Sequence, residues 1–550
     1  MQRTTIVSIL LLVPAMIAAA AEPASPLPTF SDVTEKAGIR FRHCFGDDEL
    51  SNIVEGTGSG ATFFDYDGDG WLDIYLVNGR YRPDVNDVTG RKYKGKLSNS
   101  LYRNNRDGTF TDVTEKAGVG GGEGYGIAAS AADYDGDGHL DLYVLNYGPN
   151  VLYHNNGDGT FTDVSAKSGL ADPRWSVSGV WLDYDRDGLL DVYVANYLEY
   201  DGGKFRSYYP AAGYPGPLSY NGTAGALYRN NGDGTFTDVT KEAGVWKPGG
   251  RAMSATAVDL DNRGLLDLYV ANDSMGNYYF RNLGNGKFVE EALPRGVAFG
   301  EGGQGVSNMG PTFGDIYRNG RMDLYIPNLG YGTLFANRGK FFLDRTAESG
   351  LAVICGQYAG WGSGLFDYDN DGYLDLFVAT GGAHHLHPEE SVLARNNGKG
   401  RFLDVAKRSG AFFTKKYVAR GVAVGDYNND GNLDLLVVTL NGPAILLHND
   451  GGSKNNWLTV ACKLPDGKTD ALGARVTVKA GDLTQMHDLV PVTGYLSQSD
   501  PRPHFGLGKA KKADAVEVRW PDGRTTTWKD VPANQFLKVV QEKRQGPAKP

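Results

Sequence analysis

Asp65-Tyr-Asp-Gly-Asp-Gly-Trp-Leu-Asp73 is an acidic nine-residue loop that this 550-residue chain repeats, intact or altered, seven times. The other copies start at Asp133, Asp183, Asp259, Asp315, Asp367 and Asp426. Residues typical of β-strands follow each loop, as in the run Leu-Asp-Leu-Tyr-Val after the second copy, so each loop joins two predicted strands. A repeat of this kind, made of short strands, indicates a ring or an array of units.

A second hairpin follows each of the first six acidic loops. Its clearest copies are Leu101–Thr114, Leu152–Ser165 and Leu227–Thr240, in which a turn such as Asn-Gly-Asp-Gly separates two β-rich arms. Each repeat therefore has four predicted strands: A and B flank the acidic loop, and C and D flank the second turn. Four-stranded sheets repeated radially form a β-propeller.

The two ends of the repeat region predict a closed ring. Phe30–Val33 resembles a strand D without strands A to C before it, and the seventh repeat stops after its strand C, at Ile445–His448. We expect these two segments to pair, because closing the ring removes open sheet edges. The predicted fold class is all-β, with a seven-bladed propeller over residues 28–450.

The repeat pattern ends near Asn449, and a second, smaller, sandwich-like all-β domain is predicted over residues 455–541. A polar tail, predicted to be disordered, follows at 542–550. The strands predicted in this C-terminal domain are Trp457–Leu464, Ala474–Lys479, His487–Val492, Ala515–Trp520 and Phe536–Val540.

Composition and the N-terminus predict an exported protein. Arg3, an apolar run to Ala20 and small residues before Glu22 describe a signal peptide over residues 1–21, and no later stretch is predicted to span a membrane. Three cysteines are too few for a disulfide scaffold, and their pairing stays open. The net charge of −10 disfavours nucleic-acid binding. We expect a secreted, periplasmic or cell-surface location.

Five of the acidic loops keep oxygen-bearing side chains at positions 1, 3, 5 and 9, with glycine at position 6, and are predicted to bind about five Ca²⁺ ions. One such loop alone could be a solvated Asx turn, but five copies in phase favour calcium. The predicted ligands are Asp65, Asp67, Asp69, Asp73, Asp133, Asp135, Asp137, Asp141, Asp183, Asp185, Asp187, Asp191, Asp367, Asp369, Asp371, Asp375, Asp426, Asn428, Asp430 and Asp434.

Two loops depart from this pattern. The fourth carries Arg263 at position 5, and the fifth carries Tyr317 at position 3. A guanidinium at Arg263 is expected to approach Asp259 and Asp267 and to replace the charge of the ion with a fixed one.

Long connections between strands B and C mark a candidate binding face. They occur in repeats 1, 3 and 6, and the alternation of antiparallel strands places them opposite the acidic loops. The repeat 6 insertion holds His384, His385 and His387 and could bind zinc or copper, or could be a plain surface loop. The tyrosine-rich insertion Tyr197–Tyr220 could offer a contact surface or pack onto its own blade.

The acidic loops, with the strand that follows them, resemble the FG-GAP/VCBS repeats of integrin α-chain propellers. The segments Gly494–Asp500, His504–Gly508 and Val518–Gly523 resemble the ASPIC/UnbV domain. The combination is similar to the cartilage acidic protein family. That resemblance implies a secreted or cell-surface calcium-binding propeller, often linked to adhesion or matrix contact, and it provides no catalytic residues.

Together these observations predict an exported calcium-binding module that contacts an extracellular or envelope protein or a glycan through the face opposite the calcium loops. The alternative is an extracytoplasmic enzyme that acts on polysaccharide with a metal in the His384–His387 loop. A third alternative is a structural scaffold. Neither the ligand nor the oligomeric state follows from the sequence.

Overall fold

The computed structural model describes residues 27–201, 214–300 and 302–543. The predicted signal peptide, most of the predicted tail, and Tyr208 and Tyr209 of the tyrosine-rich insertion lie outside these residues. Strands dominate the described chain, as predicted.

Seven antiparallel four-stranded sheets form the blades of the propeller, each in the order A–B–C–D. From blade 1 to blade 7, strands A are Ala61–Phe64, Tyr125–Ala132, Ser176–Leu182, Ala252–Val258, Thr312–Gly314, Gly360–Phe366 and Ala419–Gly425. Strands B are Asp73–Leu76, Asp141–Tyr147, Asp191–Asn196, Asp267–Asn272, Asp323–Ile326, Asp375–Thr380 and Asp434–Thr439. Strands C are Ser100–Asn104, Val151–Asn155, Ala226–Asn230, Tyr278–Asn282, Thr333–Asn337, Val392–Asn396 and Ala444–Asn449. Strands D are Phe110–Asp112, Phe161–Asp163, Phe236–Asp238, Phe288–Glu290, Phe342–Asp344, Phe402–Asp404 and, for blade 7, Phe30–Asp32.

Short helices and one small ribbon lie in the connections. The α-helices are Thr114–Ala117, Ser165–Ser168, Ala292–Arg295, Thr346–Ser349 and Leu351–Cys355. The 3-10 helices are Thr89–Tyr93, Pro217–Ser219, Ala406–Arg408 and Ala411–Thr414, and the ribbon pairs Leu198–Glu199 with Asn221–Gly222.

The ring closes as the sequence predicts. Phe30 pairs with Asn449 and Asp32 with Leu447 in an antiparallel register, so the first strand of the described chain completes the last blade. Buried apolar clusters also join neighbouring blades, and one of them contains both Phe63 of blade 1 and Leu436 of blade 7. The edge strands of a single sheet are thereby replaced by a continuous circle of packed sheets.

The C-terminal domain consists of two sheets. One has three strands, His504–Gly508, Asn456–Lys463 and Gln535–Val540, and the other has four, Leu483–Asp488, Arg475–Ala480, Lys512–Arg519 and Thr525–Pro532. The prediction of a strand at His487–Val492 is wrong, because the strand ends at Asp488 and the chain then leaves the domain. Strands His504–Gly508 and Thr525–Pro532 were not predicted.

Residues 490–503, which we call the channel segment, run from the C-terminal domain into the centre of the propeller. Thr256 of blade 4 donates a hydrogen bond to the carbonyl of Val492 (2.6 Å). Gly494 N donates to the carbonyl of Pro311 before blade 5 (2.9 Å). The Tyr495 ring lies 5.2 Å from that of Trp361 in blade 6.

The second half of the channel segment contacts the remaining side of the ring. The Gln498 side chain accepts from Ala131 N of blade 2 (2.8 Å). The Gln498 backbone pairs with Ala61 in blade 1, and Asp500 N donates to the carbonyl of Val424 in blade 7 (2.9 Å). Close approach of the two backbones requires glycine in places: a Cβ on Gly310 would lie 2.1 Å from Tyr495 N. The C-terminal domain is therefore anchored in the propeller rather than separate from it.

The C-terminal domain covers the face that bears the acidic loops. Thr469 donates a hydrogen bond to Asp133 in the blade 2 loop (2.6 Å), and Arg519 pairs with Asp259 in the blade 4 loop (2.5 Å). His504 Nε2 lies 2.7 Å from the side-chain oxygen of Asn370 in the blade 6 loop. Asp133, a predicted calcium ligand, thus also contributes to an interdomain interface.

Candidate metal centres

The seven acidic loops share one backbone conformation, which the first aspartate stabilises. In blade 1 the two oxygens of Asp65 accept hydrogen bonds from the backbone N–H groups of Asp69 (2.9 Å) and Gly70 (2.8 Å). The first aspartate of every other loop accepts at least one such bond. Gly70 has a φ of +89°, which explains the glycine at position 6.

The last aspartate of each loop has a structural role that the sequence did not suggest. In blade 3 the Asp191 carboxylate accepts from the backbone N–H of Asn230, the last residue of strand C (2.9 Å). The Asn230 side chain then donates to the carbonyl of Tyr134 in the preceding blade (2.8 Å) and to that of Leu190 (3.0 Å).

The same interblade hydrogen bond occurs at all seven blade junctions. The donors, which we call the latch asparagines, are Asn104, Asn155, Asn230, Asn282, Asn337, Asn396 and Asn449. An asparagine ends every strand C, and this repetition in the sequence could have predicted a shared structural role.

The loops of blades 1, 2, 3 and 6 bring carboxylates together at distances that suit a cation. The groups are Asp65, Asp67 and Asp73; Asp133, Asp135 and Asp137; Asp183, Asp185 and Asp191; and Asp367, Asp369 and Asp371. Within each group, one oxygen per residue lies within 4.8 Å of the others. Of the predicted ligands in these four loops, Asp69, Asp141, Asp187 and Asp375 lie outside these sets of three.

Several carboxylate oxygens in these loops are buried without a hydrogen-bond partner among the described residues. They belong to Asp67, Asp183 and Asp369, and the Asp369 side chain is only 5% exposed. A buried acceptor without a donor is costly, and a divalent cation would satisfy it. The donor set, made of carboxylate oxygens on a tight loop, therefore fits calcium.

Burial also raises the pKa values of these carboxyl groups. The pKa of Asp65 rises to about 6 and that of Asp183 to about 6, first through burial and further through the neighbouring aspartates. Burial, together with Asp135 and Asp133, raises the pKa of Asp141 to about 9, and burial raises that of Asp191 to about 8. The ionised loops are thus unfavourable without a cation, and a bound cation would remove that cost.

The next-to-last residue of strand C places a cationic or basic side chain against several loops. Arg103 Nε lies 2.9 Å from Asp67 in blade 1, and Arg395 Nε lies 2.7 Å from Asp369 in blade 6. Histidine occupies this position in blades 2 and 7, as His154 and His448. These residues were not predicted, although each stands directly before the final asparagine of strand C.

In blade 4 the Arg263 guanidinium approaches Asp267, as predicted, but not Asp259. Arg263 Nη2 lies 2.8 Å from Asp267, and its other terminal nitrogen donates to the carbonyl of Asn282 (2.6 Å). Asp259 accepts from the backbone of Arg263 (2.9 Å) and pairs with Arg519 rather than with the Arg263 guanidinium. The guanidinium thus brings a fixed positive charge to two carboxylates of a loop that lacks the intact ligand set.

Blades 5 and 7 contribute no group of three carboxylates among the described residues. Tyr317 replaces the third ligand in blade 5, and burial raises the pKa of Asp323 to about 7. In blade 7, Asn428 stands at position 3, and the Asp434 carboxylate lies 3.1 Å from His448 Nδ1.

The histidine-rich insertion of blade 6 does not assemble a metal-binding group within the described chain. The ring of His384 packs against that of Tyr214 at 5.1 Å, whereas His385 and His387 are exposed. The described tyrosines of the blade 3 insertion also point inward: Tyr197 donates to Asp273 (2.6 Å) and Tyr214 to the carbonyl of Ala383 (2.6 Å). They stabilise the fold rather than form an open contact surface.

A cleft of about 510 Å³ lies between the C-terminal domain and the loops of blades 1 and 2. Asp65, Asp67 and Asp133 line one side, and Lys468 and Phe536 line the other. The cleft gives ions a route from solvent to two of the candidate metal centres.

Comparison with known proteins agrees with this architecture. The FG-GAP-like repeat family matches residues 65–144, 133–194, 218–270, 259–326 and 367–437, and the ASPIC and UnbV family matches residues 465–546. Cartilage acidic protein 1 of Xenopus tropicalis is 27% identical over 513 residues, covering 85% of this chain and 71% of the relative. The Homo sapiens protein of the same name is 27% identical over 451 residues, and the match covers 76% of this chain and 63% of that protein.

Solved structures share low similarity with the chain. An Agrocybe aegerita lectin that recognises non-reducing terminal N-acetylglucosamine is 18% identical, with a TM-score of 0.39 over 70% of this chain and 86% of its own. YCF48 bound to D1 peptide is 10% identical, with a TM-score of 0.39 over 78% of this chain and 98% of its own. In the part of the chain that the structure describes, no helix has the length and apolar character needed to cross a bilayer. Seven blades built on acidic loops, followed by the matched C-terminal domain, show that the chain belongs to the FG-GAP repeat proteins that carry an ASPIC and UnbV domain.

Proposed function

We propose that the protein is an exported, calcium-binding β-propeller that acts as an adhesion or ligand-binding module through the face opposite the acidic loops. One observation carries this proposal: the C-terminal domain covers the acidic-loop face and sends the channel segment into the ring from that side. The opposite face is left for a partner, which we take to be an extracellular or envelope protein or a glycan.

Exposed apolar side chains support this choice of face. Leu329 and Tyr331, each 41% exposed, lie on the connection between strands B and C of blade 5, and Leu386, 38% exposed, lies on that of blade 6. Connections between strands B and C are opposite the acidic loops because neighbouring strands are antiparallel. Solvent-exposed clusters of large apolar side chains are typical of protein contact surfaces, and these three side chains lie on two neighbouring blades.

The calcium part of the proposal rests on the grouped carboxylates of blades 1, 2, 3 and 6, on the partnerless carboxylate oxygens in blades 1, 3 and 6, and on the raised pKa values in all four loops, with blade 7 as a weaker fifth site. Calcium binding to the folded state alone would raise the melting temperature. We expect millimolar calcium to stabilise chelator-treated protein, as measured by thermal unfolding, and elemental analysis to find four or five ions per chain.

Matched variants localise the calcium. Asp369→Ala removes a ligand at position 3 of the blade 6 loop and should lower the bound calcium by one ion per chain. Asp261→Ala changes position 3 of the blade 4 loop, where Arg263 already supplies the cation, and should leave the count unchanged. Melting curves that coincide in chelator and in calcium would contradict the calcium assignment.

The binding face is tested by retention on an array of matrix proteins and glycans. Tyr331→Asp should abolish a retention that the unmodified protein shows. Phe341→Asp, at a residue that is 47% exposed on the turn between strands C and D of the same blade, should retain it. Equal loss in both variants, or loss only in the second, would place the contact surface elsewhere.

A further inference from the structure

The side chain that strand C presents to the acidic loop differs among blades. In blades 1 and 6 it is an arginine paired with a loop carboxylate, through Arg103 and Arg395. In blade 2 it is His154. A guanidinium keeps its charge and has no lone pair to offer, whereas a neutral imidazole is a metal ligand. Blade 2 therefore has a nitrogen donor where blades 1 and 6 have a fixed cation.

The geometry at His154 is that of a coordination shell. Its Nδ1 atom lies 3.2 Å from an oxygen of Asp135 and 3.2 Å from an oxygen of Asp141. Nδ1 is buried and has no hydrogen-bond partner among the described residues, so neither approach has hydrogen-bond geometry. Nitrogen and oxygen ligands about 2.0–2.2 Å from one zinc ion lie roughly 3–3.5 Å apart. The three ligand atoms all lie within 4.8 Å of one another, so one small cation can contact all three.

Blade 7 provides a contrast within the same molecule. His448 Nδ1 forms a hydrogen bond with Asp434 at 3.1 Å, and the third loop position is Asn428 rather than an aspartate. The Nδ1 atom of His448 is thus hydrogen-bonded to a carboxylate, whereas the Nδ1 atom of His154 is free to coordinate a metal ion.

We propose that Asp135, Asp141 and His154 form a mixed nitrogen and oxygen site that binds a divalent first-row transition metal, with zinc as the expected ion, in place of calcium. Calcium prefers oxygen ligands alone, whereas imidazole with carboxylates suits zinc. The inference deepens the proposed function for one loop, and it rests on that proposal only in taking the blade 2 loop to hold a cation.

The shared ligand Asp135 makes the two metals exclusive in blade 2. Asp135 also belongs to the all-oxygen group of Asp133 and Asp137, so an ion held by His154 withdraws a ligand from a calcium ion in the same loop. Zinc bound at this site should therefore lower the calcium count by one ion per chain and leave the other loops unaffected.

The test uses the intact protein, stripped with chelator, equilibrated with millimolar calcium and titrated with zinc chloride. Elemental analysis after gel filtration should find one zinc ion per chain that calcium does not displace. X-ray absorption at the zinc edge, which needs no variant, should show one imidazole nitrogen among oxygen ligands. A shell of oxygen alone, a shell with several imidazoles, or no retained zinc would overturn the inference.

Variants assign the site. His154→Arg reproduces the arrangement of blades 1 and 6 and should weaken zinc binding about 100-fold or more while calcium binding to the other blades persists. His448→Arg makes the same change in blade 7 and should keep the zinc. If zinc is instead lost only when His385 and His387 are replaced by alanine, the exposed insertion holds the ion and the inference is wrong. Retained zinc with no calcium in any loop would refute the proposed calcium sites while leaving this site in place.

Discussion

Arg263 shows how one departure from the loop pattern can replace the need for a bound cation. Its guanidinium pairs with Asp267, whose side chain is fully buried, so blade 4 carries its own cation. We expect Arg263→Met to lower the free energy of unfolding by about 2–4 kcal/mol in chelator, because the buried Asp267 carboxylate keeps its hydrogen bonds from Tyr279 and Asn282 but loses the cation that balances its charge. Urea unfolding of the calcium-free protein measures this loss.

Arg106→Met is the matched control for that experiment. Arg106 pairs with Asp69 in the blade 1 loop at 2.6 Å but is 52% exposed, and exposed ion pairs contribute less than about 1 kcal/mol. If the free energy of unfolding falls equally in the two variants, the Arg263–Asp267 pair contributes no more than an exposed ion pair, and Arg263 does not replace an ion.

His43 predicts a pH dependence that is separate from the metal sites. Burial, with the nearby charge of Arg420, lowers its pKa from the usual 6.5 to about 3. The unfolded chain therefore binds a proton that the folded chain does not, so stability is present above pH 6.5 and falls as the pH drops below it. The loss should reach about 2 kcal/mol by pH 5.

The His43→Gln variant isolates this effect. Urea unfolding of both proteins from pH 7.5 to 5 should show the unmodified protein losing about 2 kcal/mol more than the variant. Parallel pH profiles for the two proteins would show that His43 titrates normally in the folded state.

At the level of strands and turns, the latch asparagines connect each acidic loop to its neighbour. Asn230 donates to carbonyls in two blades, at Tyr134 and Leu190. Replacing it with alanine leaves buried carbonyls without donors, and we expect Asn230→Ala to lower the free energy of unfolding by about 2–3 kcal/mol. The adjacent Asn231 is exposed and its side chain bonds within its own turn, so Asn231→Ala should have less than half this effect in the same denaturation experiment.

The strands were predictable because the same sequence pattern recurs in every repeat. Acidic loops, Asn-Gly-Asp-Gly turns and the unpaired strand at Phe30 define the blades and their closure without any tertiary information. The structural roles of individual loop residues were harder to predict from the sequence. A predicted calcium ligand such as Asp191 also receives the backbone N–H of Asn230, and that contact depends on how strand C lies beside the loop.

At the level of the whole molecule, the relation between the two domains could not be predicted. Nothing in residues 490–503 marks them as the content of a channel, since their three prolines and Gly494 indicate only an irregular segment. Only the closed ring creates the cavity that Tyr495 and Gln498 enter. The placement of the C-terminal domain on the acidic-loop face follows from this insertion, and so does the choice of the opposite face for partners.

The channel segment is tested by filling the space it needs. A Cβ at Gly310 would lie 2.1 Å from Tyr495 N, a backbone atom that cannot rotate away. Gly310→Ala should therefore displace the segment, lower the free energy of unfolding by about 2 kcal/mol or more, and release the C-terminal domain from the propeller. Limited proteolysis near residues 450–455 should then separate the two domains, while the unmodified protein resists cleavage there.

Gly120→Ala, whose new Cβ meets no atom closer than 3.6 Å, is the matched control. Equal protease resistance in the two variants would mean that docking does not depend on the channel, because the contacts at Asp133, Asp259 and Asn370 would then suffice to hold the C-terminal domain in place.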